Sequence, residues 1–281
     1  MTPPPTPASR LRAALAQEGL LLLPCPYDGL SARLVARAGF RAAFMGGYAV
    51  AAGRFGWPDI GLVTPTEMLE TARAIIRASD LPVLCDGDTG YGGDANIRRT
   101  VLDLAQAGAA AVMIEDQTWP KRCGHIAGKS VVPRDEAVAR IRAAVRARQE
   151  TGDAILILAR TDARAIHGMD EALSRIRAFA EAGADMLFLE APETEAEMRA
   201  FTAATPLPCL ANMLEGGLTP RLSPERLQEL GFAMAAYPLD LLGAAAQAME
   251  DTLAALGTPD GPARKSHAAL LDITGFRTDP A

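Results

Sequence analysis

The 281-residue chain has no CxxC pair, and its four cysteines (Cys25, Cys85, Cys123 and Cys209) are widely spaced. That spacing indicates neither a zinc site nor a disulfide framework. No run of 18 or more apolar residues exists, and Leu20–Leu23 is far too short to span a bilayer. Basic residues are in deficit: 28 Lys+Arg stand against 34 Asp+Glu, a formal net charge of −6. There is no Lys/Arg block and no interleaving of aromatic with basic residues, so nucleic acid is not expected as a partner. The N-terminus, Met1-Thr2-Pro3-Pro4-Pro5-Thr6-Pro7, lacks the charged start and apolar run of a signal peptide. Residues 1–9 are expected to be a disordered Pro-rich tail, and the protein to be cytoplasmic with no membrane partner.

About half of the residues are apolar (49%), enough for a sizeable core. Short apolar runs recur at Leu20–Leu23, Ala42–Met45, Pro82–Cys85, Ala111–Ile114, Ile155–Ala159, Met186–Leu189, Cys209–Ala211 and Phe232–Ala236. Amphipathic stretches separate them, among them Thr66–Ala78, Ala95–Ala107, Glu136–Arg148 and Glu171–Ala182. Strands alternating with helical patterns are the mark of repeated βα units. Thr64-Pro65 and Ser223-Pro224 read as helix caps followed by first-turn prolines. Eight such units predict one (β/α)8 TIM-type barrel over residues 10–281, with a C-terminal helical segment.

In such a barrel the residues after each strand meet at one mouth. Here they read Gly46-Gly47-Tyr48, Asp86-Gly87-Asp88, Glu115-Asp116-Gln117, Arg160-Thr161-Asp162, Glu190, Asn212 and Pro238. Asp86 and Asp88 offer two carboxylates at i and i+2, an all-oxygen site with room for water that suits Mg²⁺, with Mn²⁺ as substitute. Asp59 and Glu115 are expected to act through metal-held waters. The glycine-rich Thr89-Gly90-Tyr91-Gly92-Gly93 lacks the lysine and hydroxyl of a phosphate loop. Lys121-Arg122-Cys123-Gly124-His125 puts a thiol, two cations, an imidazole and a glycine within five residues. That combination suits a mobile loop closing over an anion, with the cations lowering the thiol pKa toward an acid/base range. Cys25, Cys85 and Cys209 read as small core residues, as do Met186, Met234 and Met249. Trp57 and Trp119 read as packing or gate supports, and His167 as a surface residue.

Taken in order, Pro58-Asp59, Asp86-Gly87-Asp88-Thr89-Gly90-Tyr91-Gly92, Glu115-Asp116-Gln117, Lys121 to His125, Ala159-Arg160-Thr161-Asp162, Glu190-Ala191-Pro192, Asn212-Met213-Leu214-Glu215-Gly216-Gly217 and Ala236-Tyr237-Pro238-Leu239 resemble the isocitrate lyase / phosphoenolpyruvate mutase superfamily. The resemblance implies a barrel whose last helix is exchanged between subunits, giving homodimers or homotetramers. It also implies a Mg²⁺-dependent enzyme acting on small 2-oxo or 2-hydroxy carboxylates. The Lys-x-Cys-Gly-His loop is that of the lyases, in which the cysteine donates a proton; the phosphonate mutases and oxaloacetate decarboxylases lack the thiol. The stretch around Asn212 is similar to 2-alkylmalate lyases such as 2,3-dimethylmalate lyase, beside the 2-methylisocitrate lyases. Members often carry a serine after the second strand where this chain has Gly46, so backbone N–H groups at Gly46, Gly47 and Tyr48 are expected to hold the substrate carboxylate.

The expected reaction is cleavage of a 2-hydroxy di- or tricarboxylate to pyruvate or another 2-oxo acid plus a small carboxylate. Cys123 is the proton donor, with Lys121, His125, Arg160 and Glu190 as further catalytic residues. Arg160 and Asn212, with Asp88, Gly124 and Glu215, are expected at the substrate. The base for the hydroxyl is open between Glu190, Tyr48 and a metal-held hydroxide. The runner-up is oxaloacetate hydrolysis or decarboxylation, or phosphoryl migration, on the same barrel.

Overall fold

The computed structural model describes residues 4–258 and 261–275. Its strands are β1 (Leu21–Pro24), β2 (Ala43–Met45), β3 (Val83–Asp86), β4 (Ala111–Glu115), β5 (Leu156–Thr161), β6 (Met186–Leu189), β7 (Cys209–Asn212) and β8 (Met234–Tyr237). Around them lie α1 (Pro7–Leu15), α2 (Gly29–Arg37), α3 (Gly47–Val50), α4 (Pro65–Ser79), α5 (Asp94–Ala107), α6 (Arg134–Glu150), α7 (Arg164–His167), α8 (Met169–Glu181), α9 (Glu195–Ala203), α10 (Pro224–Glu229), α11 (Asp240–Ala254) and α12 (His267–Thr274). Every strand pairing is parallel, and β8 returns to β1 through Leu21 opposite Met234. The result is the expected (β/α)8 barrel, nearly closed: among the described residues, β1 and β2 form no ladder.

Strand periodicity sorts the side chains into two cores. Leu84, Met113, Leu156, Leu158, Met186, Phe188, Leu210 and Met234 point inward and fill the barrel. Their neighbours Val83, Cys85, Val112, Ile114, Ile157, Leu187 and Cys209 point outward under the helices. The alternation carries one residue further at the carboxyl ends. There the inward positions become Asp86, Glu115, Arg160, Glu190 and Asn212, so the phase that builds the core also aims the chemistry into the mouth.

The helix caps fall where the sequence puts them: Thr64 caps α4 with Glu67 completing the box, and Ser223 caps α10. The N-terminal boundary needs correcting. Thr6 accepts the Ser9 N–H and Pro7 opens α1, so residues 7–9, taken as tail, are helical. Ala8 and Leu11 are fully buried, closing the barrel end opposite the mouth; residues 1–3 of the expected tail lie outside the described residues. Met186 and Met234 sit in the core as expected, but Met249 does not: it lies on α11, a helix with no buried residue. Leu253, 69% exposed, lies on the same helix. Beside it an apolar groove is lined by Leu22, Pro24, Leu34, Val35, Phe40 and Tyr237. The chain then returns to the barrel at α12, where Arg37 pairs with Asp272 at 2.6 Å and Ile273 is buried. Among the described residues no helix is long and apolar enough to cross a membrane.

Candidate active site

A cleft open at the barrel mouth is walled by strand ends on one side and by the 121–125 loop on the other. Its polar lining includes Tyr48, Asp59, Asp86, Lys121, Cys123, His125, Arg160, Glu190 and Asn212, together with the backbone of Gly46, Gly47 and Gly124. Phe44, Phe188, Leu210, Leu214, Pro238 and Leu239 supply an apolar wall.

The carboxylate side is built by backbone. Asp86, at the end of β3, accepts N–H groups from Gly47 at 2.9 Å and from Asp88 at 3.0 Å. A Cβ at Gly47 would stand 3.1 Å from Asp86 Oδ2 and 3.3 Å from Lys121 Nζ, so only glycine fits without crowding the acid. This alters one expectation: the Gly47 N–H is engaged by Asp86, leaving Gly46 and Tyr48 for a substrate carboxylate. Burial, with Asp88 adding to it, pushes Asp86 up to about 6. Glu115 is raised too, by burial above all, although Arg160 opposes the shift.

Lys121 lies 2.5 Å from Asp59 and 2.8 Å from Asp88, its side chain 6% exposed. Burial works against its charge, but Asp88 and Asp59 outweigh that and hold its pKa well above the usual lysine range. Lys121 Nζ is not aligned with Asp88 Oδ1 as a hydrogen bond, and that oxygen and Glu115 Oε1 are buried without a hydrogen-bond donor. The donor chemistry fits a hard divalent cation: all-oxygen, concentrated negative charge, and two carboxylate oxygens still unsatisfied. Among the described residues no three potential ligands converge on one point, so the protein would supply few ligands and leave the rest to water and substrate. Asp86 and Asp88 remain the residues that would hold such an ion.

Opposite stands the arginine side. Glu115 and Arg160 are partners in register across β4 and β5, with Nε 3.3 Å from Glu115 Oε2. Arg160 also takes Asp162 at 2.8 Å and 3.1 Å and Glu190 at 2.9 Å, and packs over the Phe188 ring at 5.3 Å. Burial disfavours the Glu190 anion, yet Arg160 and His125 together hold its pKa far below the ordinary value. A carboxylate so stabilised is a weak base, which counts against Glu190 in that role.

The loop rests on this wall. His125 Nδ1 accepts the Leu218 N–H at 3.0 Å, which leaves Nε2 to carry the proton toward Glu190 Oε1, also at 3.0 Å. The Asn212 amide approaches the same Glu190 oxygen at 3.4 Å. A Cβ at Gly124 would come within 2.3 Å of Glu190 Oε2. The glycine is thus required by close approach. At the loop base Gln117 binds both the N–H and the C=O of Arg122, at 3.0 Å and 2.9 Å. Trp119 supports the loop edge-on to Tyr91, and Trp57 stacks on Phe55.

Two expectations fail here. The Cys123 thiol was expected to be lowered by its cations. Burial raises it instead, with Glu190 and Asp59 adding to the rise and the His125 N–H and Arg160 opposing it. It is therefore held as the neutral S–H, the form that can give a proton away. Glu215 lies outside the cleft: its side chain is 80% exposed and pairs with Arg221 at 2.8 Å. Its residue type fits a site, but it stands three residues past Asn212 on a turn leading away. Three residues in or beside the site were not singled out from sequence. Phe44 and Phe188 follow the inward phase that placed Arg160 and could have been found by it. Lys129, downstream of the motif, carried no such signal.

Comparisons with known proteins identify the family. The sequence profile described as phosphoenolpyruvate phosphomutase matches residues 11–256. The chain is 42% identical over 253 residues to 2,3-dimethylmalate lyase of Eubacterium barkeri, covering 90% of this chain and 87% of that one. It is 43% identical over 243 residues to 2-methylisocitrate lyase of Bacillus subtilis, covering 86% and 79%. A solved structure of oxaloacetate acetylhydrolase has a TM-score of 0.92 at 35% identity, covering 96% of this chain and 93% of that one. With a family profile spanning most of the chain and relatives this similar along nearly their whole length, the chain belongs to the phosphoenolpyruvate mutase / isocitrate lyase superfamily of enzymes.

Proposed function

We propose that the protein is a divalent-metal-dependent carbon–carbon lyase that cleaves a 2-hydroxy di- or tricarboxylate, of the 2-alkylmalate or 2-methylisocitrate type, to a 2-oxo acid such as pyruvate and a small carboxylate. The observation that carries the reading is that the Cys123 thiol lines the same cleft as Asp86, the first carboxylate of a buried acidic cluster whose Asp88 and Glu115 keep oxygens without an aligned hydrogen-bond donor. Mg²⁺, or Mn²⁺ in its place, held by Asp86 and Asp88 with Asp59 and Glu115 behind water, would supply charge neutralisation for the substrate carboxylate and its 2-oxygen.

The chain's own residues divide the remaining work. Arg160 and Asn212 face the departing half of the substrate, whose C3 becomes a carbanion conjugated with its carboxylate. Fixed donors in a closed, low-dielectric cleft stabilise such charge more than water does. The 2-hydroxyl loses its proton, the C2–C3 pair moves to C3, and the Cys123 S–H protonates that carbon. The hydroxyl proton finally restores the thiol, so the cycle balances without an oxidant or reductant. Lys121 holds Asp59 and Asp88 in place, and His125 holds Glu190 against Arg160.

A second reading, hydrolysis of oxaloacetate, is favoured by the likeness to the acetylhydrolase structure. One experiment separates the two. The protein is incubated with Mg²⁺ and, in turn, 2,3-dimethylmalate, 2-methylisocitrate and oxaloacetate, and both products are followed by NMR. Pyruvate with propionate or succinate supports the lyase; oxalate with acetate from oxaloacetate alone would replace it with the hydrolase. The exposed face of α11 and the neighbouring apolar groove support exchange of that helix in a homodimer or homotetramer, an assembly whose mass light scattering reads.

A further inference from the structure

We infer that Lys129 is a positioning residue that latches the Cys123 loop over the cleft by tying the loop tip to the end of β5. Its ammonium lies 2.8 Å from Asp162 Oδ1 and also donates to the Gly124 carbonyl, between Cys123 and His125. The Lys129 side chain is 4% exposed and Asp162 is fully buried, so the pair is shielded from salt and water. Lys129 does not line the cleft and reaches it only through the Gly124 carbonyl. It acts through its neighbours.

Charge explains why the latch is a lysine. The strands bring Asp86, Glu115, Asp162 and Glu190 to the mouth with Arg160 as the guanidinium among them. The loop carries Lys121 and Lys129 into the same region when it closes. Closure thus places cations among buried carboxylates, and opening would strip Asp162 of one of its two cationic partners while leaving Arg160. The same contact fixes the Gly124 carbonyl, and with it the thiol one residue earlier. Methionine at 129 would fill similar volume and supply neither the charge nor the donors.

Labelling by N-ethylmaleimide, read cysteine by cysteine through peptide mass mapping, tests this without substrate or metal. It is therefore independent of which acid the enzyme cleaves. Cys123 is half-buried and Cys25, Cys85 and Cys209 are buried, so each thiol reports its own region. K129M is expected to label at Cys123 at least tenfold faster than the unaltered protein, with the other three unchanged. Loss of a neighbouring cation would by itself slow thiolate formation, so acceleration reads release of the loop. K129R, which keeps charge and donors, should recover most of the protection. An unchanged Cys123 rate in K129M overturns the inference. So does a parallel rise at Cys85 and Cys209, which would make Lys129 a contributor to overall stability, and so does a K129R as reactive as K129M.

Discussion

Two acidic clusters flank the carboxyl end of β4, and adjacent residues divide between them. Glu115 faces inward with Asp86 and Asp88; Asp116 faces outward. Asp116 is saturated: it accepts the Thr161 hydroxyl at 2.6 Å, the Asp162 N–H at 2.9 Å and Arg175 Nη1 at 3.0 Å. The inner cluster keeps a Glu115 oxygen buried without a donor, its Asp88 Oδ1 meets only the Lys121 ammonium off hydrogen-bond alignment, and Asp86 is pushed up to about 6. A buried polar group left unsatisfied destabilises a fold unless a ligand completes it. The outer cluster is therefore architecture, and the inner one is prepared for something that arrives.

Substitution should split the two. Asp86→Asn is expected to lower kcat/KM by at least about 10³-fold, several kcal/mol of barrier. Its metal-free Tm should change little, because relief of the like-charge contact with Asp88 offsets the loss of one of the two oxygens that accept backbone N–H groups. Mg²⁺ should raise the Tm of the unaltered protein and not that of the variant, since a ligand binding only the native state stabilises it; thermal shift with and without EDTA reads both. Cys123→Ser should reduce turnover by roughly 10²–10⁴-fold, the usual span for loss of a positioned acid, with Mg²⁺ stabilisation intact. Asp116→Asn is expected to reverse the pattern. Stability should fall by about 3 kcal/mol in denaturant titrations, because Arg175 loses a buried partner, while kcat of the folded fraction stays near that of the unaltered protein. If Asp116→Asn abolished catalysis without a loss of stability, the division between the clusters would collapse.

Much of this contrast was legible in the sequence, because strand phase is legible. Once Leu84, Met113, Leu158 and Phe188 are placed inside the barrel, Asp86, Glu115, Arg160 and Glu190 follow two residues on. The loop motif was readable because a thiol beside two cations and an imidazole within five residues is an unusual local arrangement. What escaped depends on three-dimensional closeness with no sequence period. Lys129 meets Asp162 across 33 residues, and burial rather than nearby cations decides the direction of the Cys123 shift. Met249 misled for a related reason: the pattern of α11 indicates an apolar face but not whether this chain covers it.

Acid tests the outer cluster more gently. Glu171 binds Arg134 and Arg175, and the hydrogen bond from Arg134 above all brings its pKa from 4.5 to about 2. A depressed carboxylate stabilises the fold fully above its unfolded pKa and loses that contribution as pH falls through the folded one. Stability followed by denaturant midpoint should therefore decline from about pH 4.5 toward 2. Glu171→Gln should flatten that decline by about 1 kcal/mol once solvent screening is allowed for.

The smallest effect belongs to Glu215, the acidic residue that belongs to neither cluster. It shares the exposed Arg221 with Asp240, which lies 2.5 Å from the same guanidinium. Removing one of two carboxylates from a solvated arginine leaves the other paired, so Glu215→Ala should change stability by less than about 0.5 kcal/mol. With its side chain turned out of the cleft, KM for the accepted acid should stay the same. A rise in KM of tenfold or more would place Glu215 at the substrate after all, in a loop arrangement different from the one described. It would also move the boundary between prepared and structural acids from β4 out to the turn after β7.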